Sequence, residues 1–161
     1  MLYELTSRAA EITRGTKTRL LVNGRSDIAR AAGADGVHLT TRSLPADVVR
    51  HVYGPEFLIG VSTHSVREAE DARQNGDFVV FGPVFDTESK RAFGDPQGLD
   101  KLREVARAVD GFPVLAIGGI TLDNVADCFD AGASGVAAIR LFDDAEKMTE
   151  IVEAVRSSFR R

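Results

Sequence analysis

A six-residue phrase recurs with one change in this 161-residue chain. Ala32-Gly33-Ala34-Asp35-Gly36-Val37 is echoed by Ala131-Gly132-Ala133-Ser134-Gly135-Val136, and Asn75-Gly76-Asp77-Phe78 is a weaker third copy. In each, a helical pattern runs into a glycine and an apolar run begins almost at once. A glycine just past a helix supplies the left-handed backbone that closes the last turn. A unit that ends a helix, launches a strand and then repeats marks an alternating α/β chain.

Six short apolar runs fit that alternation. They are Arg19 to Asn23, Gly36 to Leu39, Phe57 to Ser62, Phe78 to Gly82, Val114 to Gly119 and Gly135 to Arg140. Each is nearly continuous in apolar residues, as strands covered on both faces of a parallel sheet are. Amphipathic stretches separate them: from near Met1 to Gly15, from Ser65 to Asn75-Gly76, from Leu99 to Val109, from Thr121 to Ala131-Gly132, and from Asp144 to Phe159. Ser65 with Glu68 three residues on predicts a capping box. The fold class is α/β, a parallel (β/α)8 TIM-barrel type, with an open doubly wound sheet as the alternative. A closed barrel has eight strands and six runs are present. The sequence therefore predicts a single incomplete barrel domain over 1–161 that lacks the first strand-helix-strand. Two unpaired apolar edges would then favour a homo-oligomer.

The content of hydrophobic residues, 43%, suffices for a core. Net charge is −4, and basic residues do not cluster apart from Arg160-Arg161, which argues against a nucleic-acid surface. No apolar run reaches the roughly 18 residues of a membrane span, so no membrane role is expected. Cys128 is the one cysteine, and no secretory apolar segment follows Met1. A cytoplasmic setting is the simplest expectation. Cys128, beside Phe129 in a helical pattern, is expected to pack rather than react.

In a barrel of this type the chemistry sits after the C-terminal ends of the strands. The stretch from Gly82 to Gly98 is long and polar, with Thr87, Ser89 and Lys90 closely spaced. Such donors suit phosphate oxygens, although a solvated loop would look the same. Gly118-Gly119 lets the backbone approach an anion, or simply makes a tight turn. Arg140 can add a bidentate contact or sit in a rim salt bridge. Ser62 is expected to point into the mouth, and Asn23 to reach a ligand from the end of the first run. His64 is either an acid-base group or a polar residue near a helix cap. His38 is expected in the core and His51 on a helix surface. No metal-ligand spacing stands out.

These pieces, in this order, resemble the thiamine phosphate synthase and TenI family. The segments that carry the resemblance are LLVNGRSDIARAAGADGVHL, GVSTHS, FVVFGPVFDTESK and VLAIGGITLDN followed by AGASGVAAI. The resemblance implies a TIM barrel and a transferase of thiamine biosynthesis. Such an enzyme couples hydroxymethylpyrimidine diphosphate to thiazole phosphate and releases pyrophosphate. By position, Ser62, Lys90 and Asn23 match the catalytic pyrophosphate contacts. Thr87, Ser89, Gly118, Gly119 and Ile139 match the thiazole-phosphate pocket, and Arg140 stands where the family has a serine. Mg2+ is the family's expected cofactor. Its two aspartate ligands are replaced here, by Gly24 after Asn23 and by Ser43 within Thr40-Thr41-Arg42-Ser43. The basic Gln-x-Arg-x-Lys strand of the family is not in the sequence. Pro83 stands where the tautomerase branch has a histidine. A relative that binds phosphorylated ligands without catalysis is therefore the alternative, as is a tautomerase-type protein.

Overall fold

The computed structural model describes residues 1–86 and 95–159. Among them are six strands: β1 (Leu21–Asn23), β2 (Gly36–Leu39), β3 (Leu58–Thr63), β4 (Phe78–Phe81), β5 (Val114–Ile117) and β6 (Gly135–Ala137). Seven α-helices alternate with them: α1 (Leu2–Thr13), α2 (Ser26–Ala31), α3 (Ala46–Tyr53), α4 (Val66–Ala72), α5 (Gly98–Ala108), α6 (Val125–Asp130) and α7 (Met148–Phe159). Every expected strand is present. The last is shorter than its apolar run, because the chain leaves the sheet after Ala137 and Arg140 opens a 3-10 turn. No helix among the described residues is long and apolar enough to cross a membrane.

The chain forms two compact units, Met1–Ser62 with Ala72–Phe78, and Thr63–Asp71 with Val79–Arg161. In the first, β1 pairs β2 and β2 pairs β3, all parallel. Val22, Val37, Leu39 and Ile59 from the strands meet Ala29, Val49 and Phe57 in one buried cluster. In the second unit β4 pairs β5 and β5 pairs β6, again parallel. Its interior includes Val79, Phe81, Leu102, Val105, Val114, Val125 and Cys128. Burial pushes the Cys128 thiol up to about 11, consistent with a packing role.

The sequence repeat is visible as hydrogen bonding. Gly33 and Gly132 have φ of 74° and 97°, the left-handed caps that the repeat predicts. Beyond them, the Ala34 N–H donates to the Ala29 carbonyl at 2.9 Å and the Ala133 N–H to the Cys128 carbonyl at 3.0 Å, the closure of a Schellman turn. The residue just before the strand then makes a two-bond ring with the start of the preceding strand. The Asp35 N–H donates to the Leu20 carbonyl, and Asp35 Oδ2 accepts the Leu20 N–H at 2.8 Å. Asp77 does the same with Ile59, accepting its N–H at 2.7 Å. Ser134 does so with Val114, its hydroxyl accepting the N–H at 3.4 Å. The Leu20 N–H, followed by Arg19, holds the Asp35 carboxyl below its usual range. Gly76 in the third copy is not left-handed. A Cβ there would lie 2.9 Å from the Ala72 carbonyl oxygen, so space rather than φ requires glycine.

Arg50 braces the third copy. Its Nη1 donates to the carbonyls of Gly54 and Phe57 at 2.8 Å each, its Nε to that of Asn75 at 3.2 Å, and its Nη2 to Asp77 Oδ2 at 2.7 Å. The side chain is only 20% exposed. Arg50→Ala leaves several partly buried acceptors without a donor. It should cost about 2–3 kcal/mol, the range for charged hydrogen bonds. Urea unfolding checks this through a lower midpoint at unchanged slope. Arg50→Lys should recover little of the loss, since an ammonium cannot span the same acceptors.

Candidate functional site

In the first unit the ends of β1, β2 and β3 place polar residues side by side. Register sets Asn23 level with His38, and His38 level with Gly60. His38 Nε2 then lies 2.7 Å from Ser62 Oγ. His38 is half-buried, and this desolvation lowers its pKa from 6.5, favouring the neutral ring. Its place corrects the expectation of a plain core histidine. It lies near the mouth, on the partner of Ser62. Nothing in a lone histidine within an apolar run signals this, because the contact depends on strand register.

The turns after β1 and β2 also touch. The Gly24 N–H donates to the His38 carbonyl at 2.8 Å, and a Cβ on Gly24 would lie 3.4 Å from Ser43 Oγ. Ser43 Oγ accepts the Thr40 N–H at 2.9 Å and lies 3.3 Å from Thr40 Oγ1. Gly24 and Ser43, the positions that the resemblance matches to two magnesium-binding aspartates, are thus neighbours in space. What they and their loops offer is an amide from Asn23, hydroxyls from Thr40, Thr41 and Ser43, and a guanidinium from Arg42. Magnesium is bound through one or two carboxylates together with substrate phosphates. Neither turn, 23–25 nor 40–45, contains a carboxylate. These donors do not fit a magnesium ion held by the chain.

In the second unit the turn after β5 is tightly shaped. Gly118 and Gly119 have φ of 100° and 65°. A Cβ on Gly118 would approach Pro83 to 2.5 Å, and one on Gly119 would approach Phe85 to 2.7 Å. Both glycines are therefore demanded twice, by conformation and by space. Asn124 fixes the turn: its Oδ1 accepts the Thr121 N–H and its Nδ2 donates to the Gly119 carbonyl, each at 2.9 Å. Among the described residues the N–H groups of Gly119 and Ile120 have no partner. Helix α6 begins at Val125, later than the sequence suggested, so the turn rather than a helix start presents these donors.

Ile117 is level with Ala137, and beyond that pair the chain leaves the sheet in the segment that carries Ile139 and Arg140. Ile139 there is 79% exposed, and Arg140 is also exposed. His64 is a bracing residue. Its Nδ1 meets the Gly82 carbonyl at 2.5 Å, and its N–H donates to Glu68 Oε2 at 2.6 Å. The expected capping box at Ser65 is thereby modified. Ser65 Oγ accepts the Glu68 N–H, but Glu68 reaches back to His64 instead of Ser65. His51 is exposed on α3, as expected. Thr87, Ser89 and Lys90 lie outside the described residues.

Known proteins share both the sequence and this architecture. The family described as thiamine monophosphate synthase matches residues 1–142. A thiamine-phosphate synthase of Roseiflexus castenholzii is 48% identical over 129 residues, covering 80% of this chain and 56% of that protein. One from Methanoculleus marisnigri is 48% identical over 130 residues, covering 80% and 61%. The chain thus spans less than two thirds of the length of these relatives. A solved thiamine phosphate pyrophosphorylase from Pyrococcus furiosus superposes with a TM-score of 0.85 at 32% identity, over 99% of this chain and 76% of that one. Strands parallel within each unit and alternating with helices, together with the likeness to that structure, mark an α/β fold of the TIM-barrel type. With the family match over residues 1–142 and relatives 48% identical, the chain belongs to the thiamine monophosphate synthase family.

Proposed function

We propose that this chain acts in thiamine biosynthesis as a thiamine-phosphate synthase-type transferase. It would join the pyrimidine methylene carbon of hydroxymethylpyrimidine diphosphate to the ring nitrogen of thiazole phosphate, with pyrophosphate as the leaving group. The observation that carries the reading is the Gly118-Gly119 turn. Among the described residues it presents two N–H groups without a partner, at a turn where no Cβ fits. Backbone donors held in place in this way suit a phosphate monoester.

The Ser62 and His38 pair supports the diphosphate half. With its proton on Nε2, His38 donates to Ser62 Oγ and leaves the hydroxyl proton free to donate to a phosphate oxygen. Departing negative charge is then met by a preorganised donor, which is the main task in a reaction whose leaving group is pyrophosphate. The loss of both aspartates gives the non-catalytic binding relative its own support.

One assay separates the two. The purified chain, given magnesium and both substrates, is expected to form thiamine phosphate. No product, together with calorimetric binding of thiazole phosphate, would leave only the binding reading. Absence of both would remove the proposed function altogether.

His38 also makes a pH prediction. Its folded-state pKa lies below the 6.5 of the free side chain. As pH falls through 6.5 the unfolded chain takes up a proton that the folded chain resists, so stability falls. Above 6.5 this contribution levels off. Chemical unfolding of wild type and His38→Gln across that range should show a shallower slope in the variant. Identical slopes would mean that the ring is not held neutral.

A further inference from the structure

We propose that the mouth formed by the turns after β1 and β2 binds a diphosphate group directly, with Arg42 supplying the positive charge, and needs no magnesium. The inference rests on the reading of the chain as a binder of phosphorylated ligands. It departs from that reading's usual metal.

Four observations point this way. Gly24 and Ser43 adjoin, with 3.4 Å between a Cβ on Gly24 and Ser43 Oγ, and neither carries a charge. No carboxylate lies in residues 23–25 or 40–45. The first ones beyond are Asp27, already held by two bonds from Arg25 at 2.8 and 2.6 Å, and Asp47 in the first turn of α3. Arg42 is exposed, and among the described residues its guanidinium has no carboxylate partner.

The hydroxyls are already arranged as donors. Ser43 Oγ accepts the Thr40 N–H, and Thr40 Oγ1 accepts the Arg42 N–H at 3.4 Å. One acceptor site on each oxygen is thus used by backbone. Of their two hydroxyl protons, one at most is spent in the 3.3 Å contact between them. At least one proton remains for an anion, as do the amide protons of exposed Asn23. A dication needs anionic ligands and finds none on these turns. An anion needs a cation and proton donors, and finds both.

The test uses inorganic pyrophosphate as the probe and calorimetry as the readout. Wild type is expected to bind it in EDTA, with affinity undiminished relative to buffer containing magnesium. Arg42→Ala should weaken binding in EDTA roughly tenfold, the equivalent of one charged hydrogen bond. Ser43→Asp should weaken it in EDTA and make it respond to magnesium, since it returns one carboxylate to the site. Pyrophosphate binding by wild type only when magnesium is present would overturn the proposal. So would an Arg42→Ala variant with wild-type affinity, or no binding in either buffer. In that last case, binding of thiazole phosphate by the same preparation would show that the broader reading of the chain still stands.

Discussion

Three side-chain oxygens pin strand starts within the two units of this fold. Asp35, Asp77 and Ser134 each stand just before a strand, and each exchanges a pair of hydrogen bonds with the start of the strand before. Parallel strands have no hairpin turn to fix their alignment, and a slip of one residue turns every side chain to the opposite face. A two-bond ring at the strand start resists that slip. Its effect is felt at the other end of the strands. Asn23 is level with His38, the His38 ring meets Ser62, and Ile117 at the end of β5 is level with Ala137.

The alternation of elements was legible because its cause is local. Gly33 and Gly132 occupy left-handed caps that other residues adopt at a cost, so the repeat could be read without any tertiary knowledge. The strands were legible because parallel strands bury both faces. Element ends were less so, since side chains distant in the pattern set them. β1 begins at Leu21 because the Leu20 N–H is given to Asp35. α6 begins at Val125 because Asn124 is occupied with Thr121 and Gly119.

The candidate site was legible where its chemistry is carried by backbone and sequence neighbours. Gly118-Gly119 stood out as a doublet between strand and helix, and the structure adds a reason in Pro83 and Phe85, which leave no space for a Cβ. His38 was not legible, because its partner is 24 residues away. The adjacency of Gly24 and Ser43 was hidden for the same reason. It shows that the two replaced aspartate positions form one locus. On the proposal made above, the hydroxyls and Arg42 there would serve an anion where two carboxylates would serve a cation.

The most direct test of phosphate capture at the turn after β5 is a two-dimensional amide NMR titration with thiazole phosphate. At 17.4 kDa the chain suits it. The Gly119 and Ile120 amide resonances should move downfield along a single saturable isotherm, as N–H groups that acquire an anionic acceptor do. A titration that saturates other residues while leaving the Gly119 and Ile120 amides in place would contradict a phosphate held by this turn.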